Sequence, residues 1–312
     1  MTTPVGDKAA PVIETKGLSR RFGRHEAVRG LDLAVPRGSV FGFLGLNGAG
    51  KTTTIRMLLG LLRPTDGSAS VLGMDPANDG VAIRQRVGYV AERQKMYDWM
   101  TVGETIGFVK SFYPTWKDAL ADDLLRRFGL DPKAKMGSLS VGMNAKVALL
   151  LALAHEPELL ILDDPTSGLD VVVRREFLES IVQVIHEAGR TVFFSSHFVH
   201  ELERVADWVA IIHEGRLVAS QSLSAWRVRT KRLRLIFDGQ VPAQVSVPGR
   251  LSTRRHEHEL VVTTQSFDDA ALQSARATGA SSIEVLDLSL EDIFVEVVGG
   301  QSHASVAVER MA

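Results

Sequence analysis

The sequence predicts an α/β protein followed by a smaller α+β domain, and three observations carry that expectation. An apolar strand, Ser39 to Leu44, runs into a glycine-rich turn and then into a helix. Two further apolar runs, Leu159 to Leu162 and Thr191 to Phe194, flank a helical segment from Val172 to Ala188, as parallel strands with a crossover helix do. Beyond Gln221 the composition changes to short strand-like stretches around one helix.

In chain order, Val12 to Thr15 and Ala27 to Val35 read as strands, with turn signals at Phe22-Gly23 and Pro36-Arg37-Gly38. After the strand at Ser39, Thr52 to Leu62 reads as a helix closed by Pro64 and Gly67. From Thr101 to Ala154 the pattern is helical, with Phe108, Phe112, Leu120, Leu124, Leu125 and Phe128 at mostly three- and four-residue spacings. Val209 to His213 adds another strand. In the second domain Leu233 to Phe237, Gln244 to Val247 and Leu260 to Thr263 read as strands and Asp268 to Ala277 as a helix. Ser289 to Val298 reads as a final helix, with Ser289 as N-cap, Glu291 and Asp292 in its first turn and Gly299-Gly300 after it. The expected organisation is a polar tail at 1–10, a main domain at 11–221 with a helical insert at 92–155, an accessory domain at 222–300 and a tail at 301–312.

Composition narrows the chemistry. The 312 residues suffice for one ordinary domain plus a smaller one. With 36 Lys and Arg against 37 Asp and Glu, the chain lacks the global positive field of a nucleic-acid binder, so no nucleic-acid partner is expected. The absence of cysteine removes disulfides, thiolate nucleophiles and cysteine metal sites. The longest apolar run, Val147 to Ala154, falls far short of the roughly 18 to 20 residues that cross a bilayer. Met1 to Ala10 has no apolar core and does not read as a secretory signal, which makes a cytoplasmic location the expectation.

The strongest motif is Gly45-Leu46-Asn47-Gly48-Ala49-Gly50-Lys51-Thr52, which has P-loop spacing and lies between a buried strand and a helix start. Glycines let the backbone wrap a phosphate, its N–H groups point inward, and the helix dipole adds favourable field. Lys51 would hold the β and γ phosphates and Thr52, followed by Thr53, would give its hydroxyl to Mg²⁺. Such a loop needs a carboxylate on a neighbouring strand, and Asp163 at the end of Leu159 to Leu162 supplies it. The plainer alternative is that Asp163 and Asp164 only start the turn at Pro165.

Several further stretches in fixed order resemble ATP-binding-cassette ATPases over roughly Val12 to Ala219. Leu139-Ser140-Val141-Gly142-Met143 resembles the family's signature motif, Ser167-Gly168-Leu169-Asp170 its D-loop, and Ser195-Ser196-His197 its switch histidine. Phe22 stands where the family places an aromatic on adenine, although it also suits the core of the first hairpin. Ser140 is equally an N-cap for its helix, and His197 a satisfied histidine at a strand end. The resemblance implies a P-loop NTPase cassette fold and two cofactors, ATP and Mg²⁺. It further implies a head-to-tail dimer in which ATP lies between Lys51 of one copy and Ser140 and Gly142 of another, with Asp170 nearby. It implies a separate membrane permease as partner, docking on the insert behind Glu92 to Tyr97, and a peripheral place at the inner face of the membrane. Ser289 to Phe294 is similar to the end of cassette subunits that pair with export permeases for drugs, antibiotics or surface polymers.

The sequence also departs from the family. Asp164 occupies the position where a Glu usually polarises the attacking water, one methylene shorter, which predicts slow hydrolysis and leaves open an ATP-clamping module. Glu92 stands where many relatives carry Gln, either compensating near the metal and water or lying exposed beside Arg93. Val141 replaces a Gly and Met143 a Gln, while Ser140 and Gly142 remain. The basic run Arg227, Arg229, Lys231, Arg232 and Arg234 reads as a solvent face before it reads as a lipid contact.

Overall fold

The computed structural model describes residues 10–188, 190–242 and 245–309, with 183–188 and 300–309 as backbone alone. Strands β1 (Ile13–Phe22) and β2 (His25–Val35) form an antiparallel hairpin. Two-residue alternation turns Leu31, Leu33 and Val35 of β2 into the core and leaves Asp32 and Ala34 outside. Every residue of β3 (Val40–Leu44) is buried, as a central strand covered on both faces requires.

Helix α1 (Lys51–Leu58) is shorter than the expected run to Leu62. Gly60 takes φ 66°, and a Cβ there would lie 2.4 Å from the Pro76 carbonyl oxygen, so the chain leaves the helix before Leu61. Strand β4 (Asp66–Val71) pairs with β1, completing a three-stranded antiparallel sheet in the order β2-β1-β4. Helix α2 (Pro76–Arg86) starts on Asp75, which accepts a bond from the Ala77 N–H at 2.9 Å, and runs directly into β5 (Val87–Val90). These three elements escape the periodicity, because β4 reads Asp-Gly-Ser-Ala-Ser-Val and β5 is four residues long.

The expected helical insert holds α3 (Val102–Lys110), α4 (Asp118–Arg127) and α5 (Val141–Leu153). Thr101 and Glu104 close a capping box on α3. Leu124 and Phe128 are buried as their spacing predicts. Phe108 and Phe112 are not: both are exposed and join Tyr97 and Trp99 in a chain of ring contacts, with centroids 5.2 to 6.2 Å apart.

The remaining elements of this part are β6 (Leu159–Asp163), α6 (Val171–Ala188), β7 (Thr191–Ser196), α7 (Val199–Val205), β8 (Trp208–His213) and β9 (Arg216–Ser222). The main sheet has the order β5-β6-β7-β3-β8-β9, and the pairings from β5 through β8 are parallel. One sequence expectation needs correcting: the strand carrying Asp163 does not adjoin β3, because β7 lies between them. Register sets Leu44 opposite Ser196 and Asp163 opposite Ser195, so β3, β6 and β7 finish at one level. That shared carboxyl edge is where open parallel sheets bind ligands.

By backbone contacts the chain divides into Met1–Leu217 and Val218–Ala312. The second unit contains α8 (Leu223–Arg229), β10 (Lys231–Ile236), β11 (Arg250–Arg255), β12 (Glu259–Thr264), α9 (Asp269–Arg276), β13 (Ser282–Asp287) and α10 (Leu290–Glu309). Its antiparallel sheet runs β11-β12-β10-β13. The strand expected at Gln244 to Val247 is absent over its described residues: Val245 and Val247 bury their side chains from an irregular segment, and Arg250–Arg255 forms the strand. Ser289 caps α10, accepting from the Asp292 N–H at 3.1 Å, but the helix passes through Gly299-Gly300, since Gly299 does not take the left-handed conformation that ends helices. Much of the basic run is answered internally, with Lys231 on Asp287, Arg232 on Glu296 and Arg234 on Glu259 and Glu284. Residues 1–9 and 310–312 of the expected tails lie outside the described residues.

Candidate functional site

The turn between β3 and α1 is shaped by what its glycines lack. A Cβ on Gly45 would sit 2.6 Å from the Ile212 carbonyl oxygen, and one on Gly50 2.5 Å from that of Ala27. Lys51, almost fully buried, folds back across the turn: its Nζ donates to the Gly45 oxygen at 2.8 Å and the Leu46 oxygen at 3.3 Å, and pairs with Asp164 Oδ2 at 3.2 Å. Beside it opens a cavity of about 410 Å³, lined by Phe22, His25 and Ala27 from the first hairpin, by Asn47, Gly48, Gly50, Lys51, Thr52 and Thr53, and by Glu92 and Asp164.

Asp163 ends β6 beneath this cavity. Its Oδ1 accepts from the hydroxyls of Thr52 at 3.2 Å and Ser195 at 2.9 Å, while Oδ2 is buried with no hydrogen-bond partner. Burial pushes the Asp163 pKa up; the two hydroxyls oppose that, and the charges of Asp164 and Glu92 add to it. A buried carboxylate oxygen without a donor, next to a threonine hydroxyl, is the all-oxygen donor chemistry that a hard dication takes, so these residues fit Mg²⁺. Nearby Tyr89 is pushed up to about 12, first by burial and then by the Asp163 charge.

Asp164 lies at φ 45°, and its N–H donates to both the carbonyl and the hydroxyl oxygen of Ser195. That backbone turn aims its carboxylate at His197, whose Nδ1 is 2.8 Å from Oδ1 and whose N–H donates to the same oxygen at 3.2 Å. Lys51, Thr52, Asp163, Asp164 and His197 therefore form one continuous contact network built from three strand ends.

Other sequence-predicted residues stand elsewhere. Ser140, Gly142 and Asp170 do not line the cavity. Ser140 caps α5 by accepting from the Met143 N–H at 3.2 Å, and Asp170 caps α6 by accepting from the N–H groups of Val172 and Val173. Gly142 is packed so closely that a Cβ would lie 2.3 Å from Val173 Cγ1. Val141 opens α5 without a positive φ, so a β-branched residue stands in place of the Gly without left-handed strain. Phe22 is 46% exposed, with the Arg20 guanidinium 4.6 Å from its ring centre, and so is not a hairpin core residue. Glu92 lines the cavity from an exposed position. Sequence reasoning missed Ser195 as the partner of Asp163, because only the strand register reveals that pairing. It also missed His25 as a lining residue and Tyr89 as a half-buried neighbour.

Comparison with known proteins places this geometry. The profile of the ABC transporter family matches residues 28–167. The chain is 33% identical over 301 residues to a bacitracin transport ATP-binding protein of Bacillus licheniformis, covering 93% of this chain and 98% of the relative. It is 35% identical over 297 residues to a fluoroquinolones export ATP-binding protein of Mycobacterium tuberculosis, covering 93% and 94%. A solved ATP-binding subunit of an ABC transporter matches with a TM-score of 0.63 and 30% identity over 69% of this chain and 92% of its own. With relatives this similar along nearly their whole length, the chain belongs to the ATP-binding subunits of ABC transporters, the ATPases of that family.

Proposed function

We propose that this chain binds ATP in the cavity beside Lys51 and spends its hydrolysis on driving export through a separate integral-membrane permease. The meeting of Lys51, Thr52, Asp163, Asp164 and His197 at the ends of β3, β6 and β7 carries the reading. In it, the Gly45–Gly50 backbone and Lys51 cradle the β and γ phosphates, Phe22 stacks on adenine, and Thr52 and Asp163, with Glu92 near, hold Mg²⁺. Bound there, Mg²⁺ would neutralise charge on the phosphate oxygens. Asp164 takes a proton from the attacking water, and His197, fixed by its contact with Asp164, lies against the γ-phosphate.

Two copies pair head to tail, so that Ser140, Gly142 and Asp170 of each meet the nucleotide of the other. The exposed rings of Tyr97, Trp99, Phe108 and Phe112 offer the permease a docking face. No helix among the described residues is long and apolar enough to cross a membrane, which agrees with a cytoplasmic subunit held at the inner membrane face by its permease. Relatives named for bacitracin transport and fluoroquinolone export support export of an antibiotic-like cargo.

The test is phosphate release by the full chain, alone and with a co-expressed export permease, together with calorimetry of Mg·ATP. Saturable binding and permease-stimulated turnover are expected. Absence of nucleotide binding sinks the reading. Tight binding with negligible turnover instead favours an ATP-dependent clamp, which the short Asp164 side chain, engaged by both Lys51 and His197, motivates.

A further inference from the structure

Behind the contact between Asp164 and His197 lies a second carboxylate. Glu201, on α7, is fully buried. The hydroxyl of Thr166 donates to its two oxygens at 2.8 and 2.9 Å, that of Ser196 donates at 2.8 Å, and Arg174 Nε of α6 lies 3.4 Å away. Arg174 in turn donates to the Leu169 carbonyl at 3.0 Å and lies over the Phe198 ring at 4.3 Å. A buried carboxyl group with this many partners is costly to assemble, and surface electrostatics do not explain it.

Its partners are informative by position. Thr166 is two residues beyond Asp164, and Ser196 immediately precedes His197. Glu201 thus grips the turn after β6 and the end of β7 from behind, at the two places where the chain presents the carboxylate and the imidazole to each other. We propose that Glu201 is a positioning residue for hydrolysis, holding Asp164 and His197 in register through Thr166 and Ser196. The inference rests on the ATPase reading above. It touches neither the nucleotide nor the metal, so it acts on turnover and leaves binding alone.

Glu201→Gln keeps the shape but retains a single acceptor oxygen for two hydroxyls and removes the counter-charge of Arg174. In the full chain this variant should lose about tenfold in kcat, the scale of a sub-ångström misplacement, with KM for ATP within about twofold of the parent. Thr166→Val should reproduce the pattern more weakly, which guards against a folding defect peculiar to the first variant. Placed on a His197→Ala background, Glu201→Gln should cost clearly less than its tenfold in the parent, because part of its effect passes through that imidazole. Parental kcat in both variants, a KM rising in step with the loss of kcat, or multiplying losses in the double variant each overturn the inference while leaving the ATPase reading intact. A parent chain that releases no phosphate overturns both.

Discussion

Asp164 occupies the left-handed region at φ 45°, a conformation in which Asp is tolerated better than Glu, and there its carboxylate meets both Lys51 and His197. Asp164→Asn should reduce phosphate release by about 10² or more while Mg·ATP binding by calorimetry persists, the loss expected when a proton acceptor is removed. Asp164→Glu adds the methylene that the family resemblance leads one to expect here and should raise turnover; an unchanged or lower rate would show that the backbone already compensates. Asp163 shows the opposite economy. Burial raises its pKa, so its stabilising contribution is complete only below the ordinary carboxylate range and is lost as pH rises through the raised value. Above that raised value the ionised carboxylate is held at a cost to the fold. Asp163→Asn should raise the Tm measured without added nucleotide or metal and should abolish the further rise produced by ATP with Mg²⁺.

At the scale of elements, the residues that set boundaries are open to the same kind of test. Gly60 combines φ 66° with backbone on the side a Cβ would occupy, so Gly60→Ala should destabilise the chain by roughly 2 kcal/mol or more in denaturant unfolding. His155, just beyond α5, is buried and stacked on Tyr113 at 4.1 Å, and burial lowers its pKa. Its contribution is present above the unfolded value near 6.5 and lost as pH falls through the depressed one, so Tm should drop as pH falls below about 6.5, and less so in His155→Gln. Long apolar or strongly periodic elements, β3, β6, α6 and β7, were legible in the sequence because burial on both faces or a continuous helical face leaves an unmistakable pattern. The short or polar ones, β4, α2 and β5, were not, since their pairing is decided by neighbours distant in the chain. The aromatic spacing of Phe108 and Phe112 misled for a related reason: periodicity reports a face, not what covers it.

Across the whole molecule, the candidate site was legible residue by residue but not as a network. The loop at Gly45 and the pair Asp163 and Asp164 stand out by type and spacing and His197 by family resemblance, yet nothing in a linear sequence states that β7 separates β3 from β6 or that Ser195 thereby reaches Asp163. The proposed pairing of two copies belongs to this scale. With Asp164→Asn slowing turnover, sedimentation in ATP should detect dimers that disappear in Ser140→Glu, which places bulk and negative charge against the incoming phosphate. Trp99, 67% exposed amid neighbouring rings, offers the corresponding test for the permease: Trp99→Ala should weaken co-purification of the two proteins.

The ammonium of Lys51 already has an anion, the Asp164 carboxylate at 3.2 Å. A triphosphate arriving there does not meet a bare cation; it competes for one, and its affinity reflects a swap of one negative partner for another. The same swap releases Asp164 from Lys51 at the moment a substrate is present, leaving the carboxylate to His197 and to water. On the proposed mechanism, arrival of the nucleotide thereby frees the base that draws the proton from the attacking water.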